Sequence, residues 1–447
     1  SGLTRWQRAG LVVLLVGLVV FGGLVEFRSA FLHERKGDLG VFLRTAWAVR
    51  SGQADIYDIT DDHGFHYLYP PLFAILLVPL ADPPAGMERA WMLPYSMDVA
   101  LWYLFSLVCL GLAVHWLASA LEQTSSAPSM RAQPAGSRRW WALRIWPVLA
   151  CLPPIGHTLM RGQVGLLLLL LLAGMTAALL RGRRWQAGFW LSGAICLKVI
   201  PAFLLLYPLW RRDLRFLTGC ALGLVVGLAL IPAAVFGPAR TAACYEKWWQ
   251  VMGMPGLGQG QDQSRSKELT EMTATDSQSL LVALHNTLHL DRETRPKQAA
   301  PEDRRAALEI GLLLTLGTLL AAGSRRTASG SGTVLFLGML VLIMLLLSPV
   351  CHLHYFCLSV PLVMGLLAAH WEKAQAPHQG KGLALLLAVY AVANVLPHIP
   401  GLEVIRDLGL AMYGALLLWL VGMRVLWRQV RPRSGTAWEC PRLSEAA

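Results

Sequence analysis

Few groups in this chain can do chemistry, and most of them stand in short polar segments between apolar runs. Asp38 lies in Gly37-Asp38-Leu39-Gly40, just after the first apolar run. Asp58, Asp61, Asp62, His66 and Tyr69 follow, then Arg161-Gly162-Gln163, Lys198, Gln278, and the pair His352 and His354. A carboxylate at a bilayer boundary needs a reason to be there, and service as a general base is one. Arginine, lysine and protonated histidine suit an anion such as a phosphate. The histidine pair also suggests a metal or proton site, but no carboxylate stands beside it in the sequence, and no metal is expected. Each group has a plainer reading. Asp38 caps a helix, Gln163 does the same, and Arg161 snorkels to headgroups. His66 and Tyr69 belong to an aromatic belt, and Lys198 sits in a structural ion pair. Gln278 stands in a long polar loop that can close over a ligand, and Asp58 is a second candidate base.

The elements that must position these groups are membrane helices. Apolar residues make up 55% and charged residues 15% of 447, with mean hydropathy +0.49. Such a chain needs lipid around it. The net charge of +12 is spread over short basic clusters between apolar runs, which is the pattern of cytoplasmic loops and not of a nucleic-acid-binding patch. The eight cysteines are scattered, without metal-binding spacing, and read as buried small hydrophobes.

An all-α polytopic membrane protein follows, with roughly ten to twelve membrane segments. Gly10–Phe27 is the first, an anchor with the N-terminus inside. Asp38–Arg50 has apolar residues at helical spacing and reads as an interfacial amphipathic helix, with Asp38 near its positive end. Leu72–Leu80 is too short to span upright. Met97–Leu121, Ile145–His157 and Val164–Leu180 then alternate in direction between basic loops. Trp185–Trp210 has arginines at both ends, so it must enter and turn back, with Lys198 and Pro201 at the break. Phe216–Val235, Ala306–Ala322, Val334–Leu347, Phe356–His370, Leu383–Leu396 and Leu408–Trp427 complete the set. Residues 1–430 form one integral-membrane domain, with outer loops at 28–71 and 237–303, and 431–447 are a polar cytoplasmic tail. This topology uses only charge and length, yet it collects nearly all the reactive groups on the outer face.

Five patterns, in order, resemble glycosyltransferase family 87, the polyprenol-phosphate-mannose-dependent mannosyltransferases. They are Gly37-Asp38-Leu39, Tyr69-Pro70-Pro71 before a short apolar helix, Gly162-Gln163 opening a Leu-rich helix, Leu197-Lys198-Val199-Ile200-Pro201, and Ser348-Pro349 before His352 and His354. The resemblance runs from about Trp6 to Val430. The chain departs from the family where Val164 and Gly165 follow the glutamine, and where Ser277-Gln278-Ser279-Leu280 is followed by His285 rather than arginine. The resemblance implies a C-type glycosyltransferase (GT-C) fold with interfacial helices in the first outer loop. It implies transfer of a hexose, mannose first, from a polyprenyl-phosphate carrier to a glycolipid or polysaccharide hydroxyl on the extracytoplasmic face. Asp38 is then the base of an inverting displacement. His66, Tyr69, Arg161, Gln163, Lys198, Gln278, His352 and His354 are the substrate-binding candidates, with Lys198, Arg161 and the histidine pair as phosphate clamp. The partners are the lipid-linked donor, the acceptor and membrane lipids, with no cofactor and no nucleic acid.

Two other classes compete. A lipid or solute transporter would hold its key groups near the bilayer midplane on paired broken helices, and only one broken segment is evident. A membrane acyl- or phosphotransferase would need a nucleophile or metal cluster that the motifs do not supply.

Overall fold

The computed structural model describes residues 3–31, 37–53, 55–84, 86–87, 91–125, 127, 130, 134–259, 264–272, 276–323, 329–373 and 379–430. The expected tail at 431–447, Arg131 and Arg325-Arg326 lie outside the described residues. Among the described residues no strand forms, and the only bridges are two isolated antiparallel ones, Thr60 with His66 and Glu271 with Gln298. In chain order the principal helices are α1 (Arg5–Phe31), α2 (Leu39–Arg50), α3 (Pro71–Leu76), α4 (Tyr95–Thr124), α5 (Arg138–Ala150) and α6 (Leu152–Arg161). Next come α7 (Gly165–Leu180), α8 (Arg184–Leu197), α9 (Leu206–Arg211), α10 (Leu214–Leu224), α11 (Ile231–Phe236) and α12 (Pro238–Trp248). The rest are α13 (Leu280–Leu288), α14 (Pro301–Ala322), α15 (Gly330–Leu347), α16 (Val360–Lys373), α17 (Gln379–Val395) and α18 (Leu410–Val430).

Eight helical stretches among the described residues are long and apolar enough to cross a membrane, and the chain is an integral membrane protein. The paired α5–α6, with Pro147 inside, and the 16-residue α7 are the two further passages that the loop charges require. One end of the bundle is tied by polar contacts among segments far apart in sequence. Gln7 donates to the Arg138 carbonyl, Arg181 to Gln123, Ser125 to Glu372 and Gln429 to Ser331. Arg138 and Arg181, from two of the basic clusters, are among the residues at this end. The other end gathers the polar segments: Trp248 donates to the Leu68 carbonyl at 3.2 Å and Arg265 to the Tyr57 carbonyl at 2.8 Å. There the Gln278 N–H also donates to the Cys351 carbonyl at 2.6 Å.

The expected fold-back is present. α8 ends at Lys198, whose backbone is extended (φ −149°, ψ 125°), and a 3-10 turn over Ile200–Leu205 leads into α9. The segment returns to where it began, since Arg184 at the head of α8 pairs with Asp213, the N-cap of α10, at 2.9 Å. α10 and its helical continuation over Val225–Leu230 run beside α8 in the same direction: Gly219 lies against Trp185, Gly223 against Ser192 and Gly227 against Cys196. Parallel neighbours with this register require the chain to have doubled back between them. The contact depends on glycines spaced four apart, which let two backbones approach where lipid offers no hydrophobic drive. A Cβ on Gly219 would meet the Trp185 carbonyl oxygen at 2.5 Å. Gly219→Val is therefore expected to destabilise the fold by about 1–3 kcal/mol or more, read as a lower melting temperature in detergent. A wild-type melting curve would mean that the two helices part without cost.

α2 forms where the apolar spacing indicates. Nine of its 12 residues are buried, so protein rather than open membrane surface covers most of it. Its lid includes α3 and Asp82, whose N–H donates to the Leu43 carbonyl at 3.2 Å.

Candidate active site

Two glycine motifs build the heart of the site by touching. α6 ends at Gly162, which is left-handed (φ 65°), and a Cβ there would fall 2.8 Å from Leu39 Cβ. Gly37 lies against the Arg161 carbonyl, and the Asp38 N–H donates to that same oxygen at 2.9 Å. Only glycine gives the backbone this turn and this approach. Asp38 takes the N-cap position of α2, yet its side chain makes no capping bond. The carboxylate instead accepts from Gln163 Nε2 at Oδ2, and Gln163 Oε1 accepts from the Tyr69 hydroxyl at 3.2 Å. Asp38, Gln163 and Tyr69 thus form one hydrogen-bonded chain, assembled from three of the motifs.

All three line a cavity of about 1100 Å3, together with His66, Arg161 and His352. His66 is clipped to the buried Glu268, whose carboxylate meets its Nδ1 at 2.7 Å and its N–H at 3.1 Å. His352 Nδ1 lies 2.7 Å from Asp276 Oδ1. The expectation that no carboxylate accompanies the histidine pair is therefore overturned: Asp276 arrives from 76 residues away. Burial alone would raise the Asp276 carboxyl, but the hydrogen bond and charge of His352, with Arg161 beyond, hold it well below the usual carboxylate range. An ionised Asp276 orients the ring and leaves Nε2 as the atom open to a ligand.

Four other residues take places that the sequence does not indicate. Lys198 is not on the cavity wall. Its ammonium bonds the Tyr355 hydroxyl and lies 3.8 Å from the centre of the Tyr355 ring and 5.3 Å from that of Tyr69. Both tyrosines line the cavity, so the lysine side chain stands directly behind them. His354 is fully buried, stacked 5.3 Å from the His352 ring and edge-on to His157 and Tyr355. It forms a second layer. Gln278 is also fully buried, and it does not close over the cavity. Its amide donates to the Arg406 carbonyl at 2.8 Å and accepts from the Ala411 N–H at 3.3 Å, which makes it a strut between two outer segments. Asp58 is 65% exposed, beside Lys247 and Arg265, and away from the cavity wall, which removes it as a second base.

The cavity also presents groups that the motifs do not announce: Asp276, His157, His398, Arg28 and Arg406. His157 and His398 pack edge-on, with ring centres 4.7 Å apart. Asp276 has one signal in the sequence, its place at the head of Asp276-Ser277-Gln278-Ser279-Leu280, and nothing local ties it to His352. Chemically, the cavity sets the Asp38 carboxylate, held by Gln163, beside arginines and histidines, two of whose rings, His66 and His352, are themselves paired with the lining carboxylates Glu268 and Asp276. That combination suits proton removal from a neutral nucleophile and capture of an anion.

The model of glycosyltransferase family 87 matches residues 67–349, which leaves Asp38, His352 and His354 outside the match. A polyprenol-phosphate-mannose-dependent alpha-(1-2)-phosphatidylinositol mannoside mannosyltransferase of Mycobacterium tuberculosis is 27% identical over 314 residues, 69% of this chain and 63% of that one. The protein of the same name from Mycolicibacterium smegmatis is 31% identical over 163 residues, 36% of this chain and 34% of that one. The chain thus spans less than two thirds of the length of these curated relatives. Among solved structures, ArnT from Cupriavidus metallidurans bound to undecaprenyl phosphate matches with a TM-score of 0.44 and 16% identity, over 94% of this chain and 77% of that one.

Proposed function

The chain belongs to glycosyltransferase family 87, and from that premise we propose that it transfers a hexose, most directly mannose, from a polyprenyl phosphate to an acceptor hydroxyl of a glycolipid or polysaccharide. The fold is then of the C type, and the reaction is an inverting single displacement. The acceptor oxygen attacks the anomeric carbon as its proton passes to Asp38. The bond from that carbon to the phosphate oxygen breaks, and polyprenyl phosphate leaves with the electron pair. The observation that carries this reading is the meeting of Asp38 with three arginines, Arg28, Arg161 and Arg406, in one cavity. A displacement of this kind needs a base for the nucleophile and fixed positive charge for the leaving phosphate, about one sugar apart.

In this reading Gln163 grips Oδ2 of Asp38 and so aims the carboxylate. Arg161 and His352 hold the phosphate, with Asp276 orienting the imidazole. Lys198 adds charge from behind Tyr69 and Tyr355. His66, Tyr69 and Gln163 contact the sugars. The reading has the site open on the extracytoplasmic face, which the rule that positive loops stay inside supports for the loops that carry Arg138 and Arg181. The donor is supported by the names of the two mycobacterial relatives, both polyprenol-phosphate-mannose-dependent.

Purified protein in nanodiscs, given radiolabelled polyprenyl phosphate mannose and a membrane lipid extract, is expected to label a lipid or glycan product. The competing transporter reading predicts movement of the donor or another lipid across the bilayer with no labelled product. Transport without any sugar transfer or donor hydrolysis would sink the transferase reading.

A further inference from the structure

His285, His289 and Asp303 meet away from the catalytic cavity, and none of them lines it. His285 and His289 are four residues apart, on the last turn and the C-cap of α13. That spacing puts both rings on one face, with centres 4.7 Å apart. Asp303 comes from the first turn of α14 and is itself buried. The His285 ring is fully buried and has a partner at each nitrogen. Nε2 lies 3.0 Å from the Pro296 carbonyl oxygen, which can only accept, so Nε2 carries a hydrogen. In the neutral ring Nδ1 then bears a lone pair, and it faces Asp303 Oδ2 at 3.2 Å. Two lone pairs opposed in a buried place repel, so a cation or a proton has to stand between them.

We propose that His285, His289 and Asp303 bind a divalent transition metal of the zinc class, which staples α13 to α14. The two nitrogens and one carboxylate oxygen lie within 4.8 Å of one another. A tetrahedral ion with bonds of about 2.0–2.1 Å holds its ligands about 3.3 Å apart, close to the distance between Nδ1 and the carboxylate. The donor set of two imidazoles and one carboxylate excludes magnesium and calcium, which take oxygen cages. The Pro296 carbonyl on Nε2 is the outer-sphere partner that fixes the tautomer of a metal-bound histidine. The sequence motifs, the His352/His354 pair and the cysteine spacing among them, point to no metal; this cluster is not one of those motifs. The staple has a consequence for the cavity. The lead-in to α13 carries Asp276 to His352 and Gln278 to the Arg406 carbonyl, so an ion at the far end of α13 braces that wall. The inference does not depend on the identity of the sugar donor.

The test uses tag-free full-length protein in nanodiscs, stripped with a chelator and titrated with zinc chloride and, separately, cobalt chloride. One equivalent per chain is expected, with the visible absorption of tetrahedral cobalt and a higher melting temperature in zinc. His289→Ala and Asp303→Asn are each expected to weaken zinc binding by at least about tenfold and to abolish the cobalt band. His289 is only partly buried, so its replacement leaves the fold in place, as circular dichroism would verify. Wild-type protein that takes up no stoichiometric zinc overturns the proposal. Undiminished zinc binding by both variants overturns it as well, because the ion then sits elsewhere.

Discussion

Asp38→Asn is expected to slow sugar transfer by about 10²- to 10⁴-fold, the usual contribution of a positioned general base, with the fold intact. The substitution keeps shape and one acceptor oxygen, so Gln163 can still donate to residue 38 and Tyr69 to Gln163. The backbone bond from residue 38 to the Arg161 carbonyl is untouched. What is lost is the ability to take a proton. Single-turnover transfer from labelled donor measures the rate, and inhibition by the product, polyprenyl phosphate, measures binding of the leaving group. Binding should hardly change, since the groups assigned to the phosphate, Arg161 and His352, are left unaltered. A variant that transfers at the wild-type rate would remove Asp38 as the base. The role would then pass to His352, the cavity-lining imidazole with a carboxylate behind it, since Asp58 stands away from the cavity.

Arg161→Gln should show the complementary pattern. Loss of one preorganised donor to a developing charge costs on the order of 10²–10³ in kcat, and the product should inhibit at least about tenfold more weakly. Arg161 ends α6, and its carbonyl, not its guanidinium, anchors Asp38. The side chain can therefore change without moving the base. Arginine stays charged at any working pH and presents a flat fork to phosphate oxygens, which a glutamine amide cannot imitate. The two variants separate the halves of the reaction: Asp38→Asn loses rate and keeps product affinity, and Arg161→Gln loses both. Product affinity that survives in Arg161→Gln would transfer the clamp to His352, Arg28 and Arg406.

Much of this protein is legible in the sequence because its solvent is lipid. The apolar runs and the basic clusters between them are local properties of the chain, and they determine the membrane class and the alternation of passages. The arginines at both ends of 185–210 likewise determine that this segment must double back, and Arg184 meets Asp213 as that requires. The motif order determines the family resemblance, because each motif is contiguous and can be read without a partner. Gly37-Asp38 and Arg161-Gly162-Gln163 are both visible as motifs, but only packing reveals that the glycines exist to let them touch.

The tertiary structure alone decides which polar group meets which. Asp276 reaches His352 across 76 residues, Gln278 spends its amide on Arg406 and Ala411, and Lys198 stops behind two tyrosines. Periodicity and hydropathy say how far a helix runs and which solvent it prefers. They are silent on how it is rotated and displaced against its neighbours, and in this bundle rotations and displacements of a few ångströms settle whether a polar side chain lines the cavity or props up its wall. Those offsets come from close packing among many side chains and glycines at once, such as the α8–α10 contact, and no single stretch of the chain contains them.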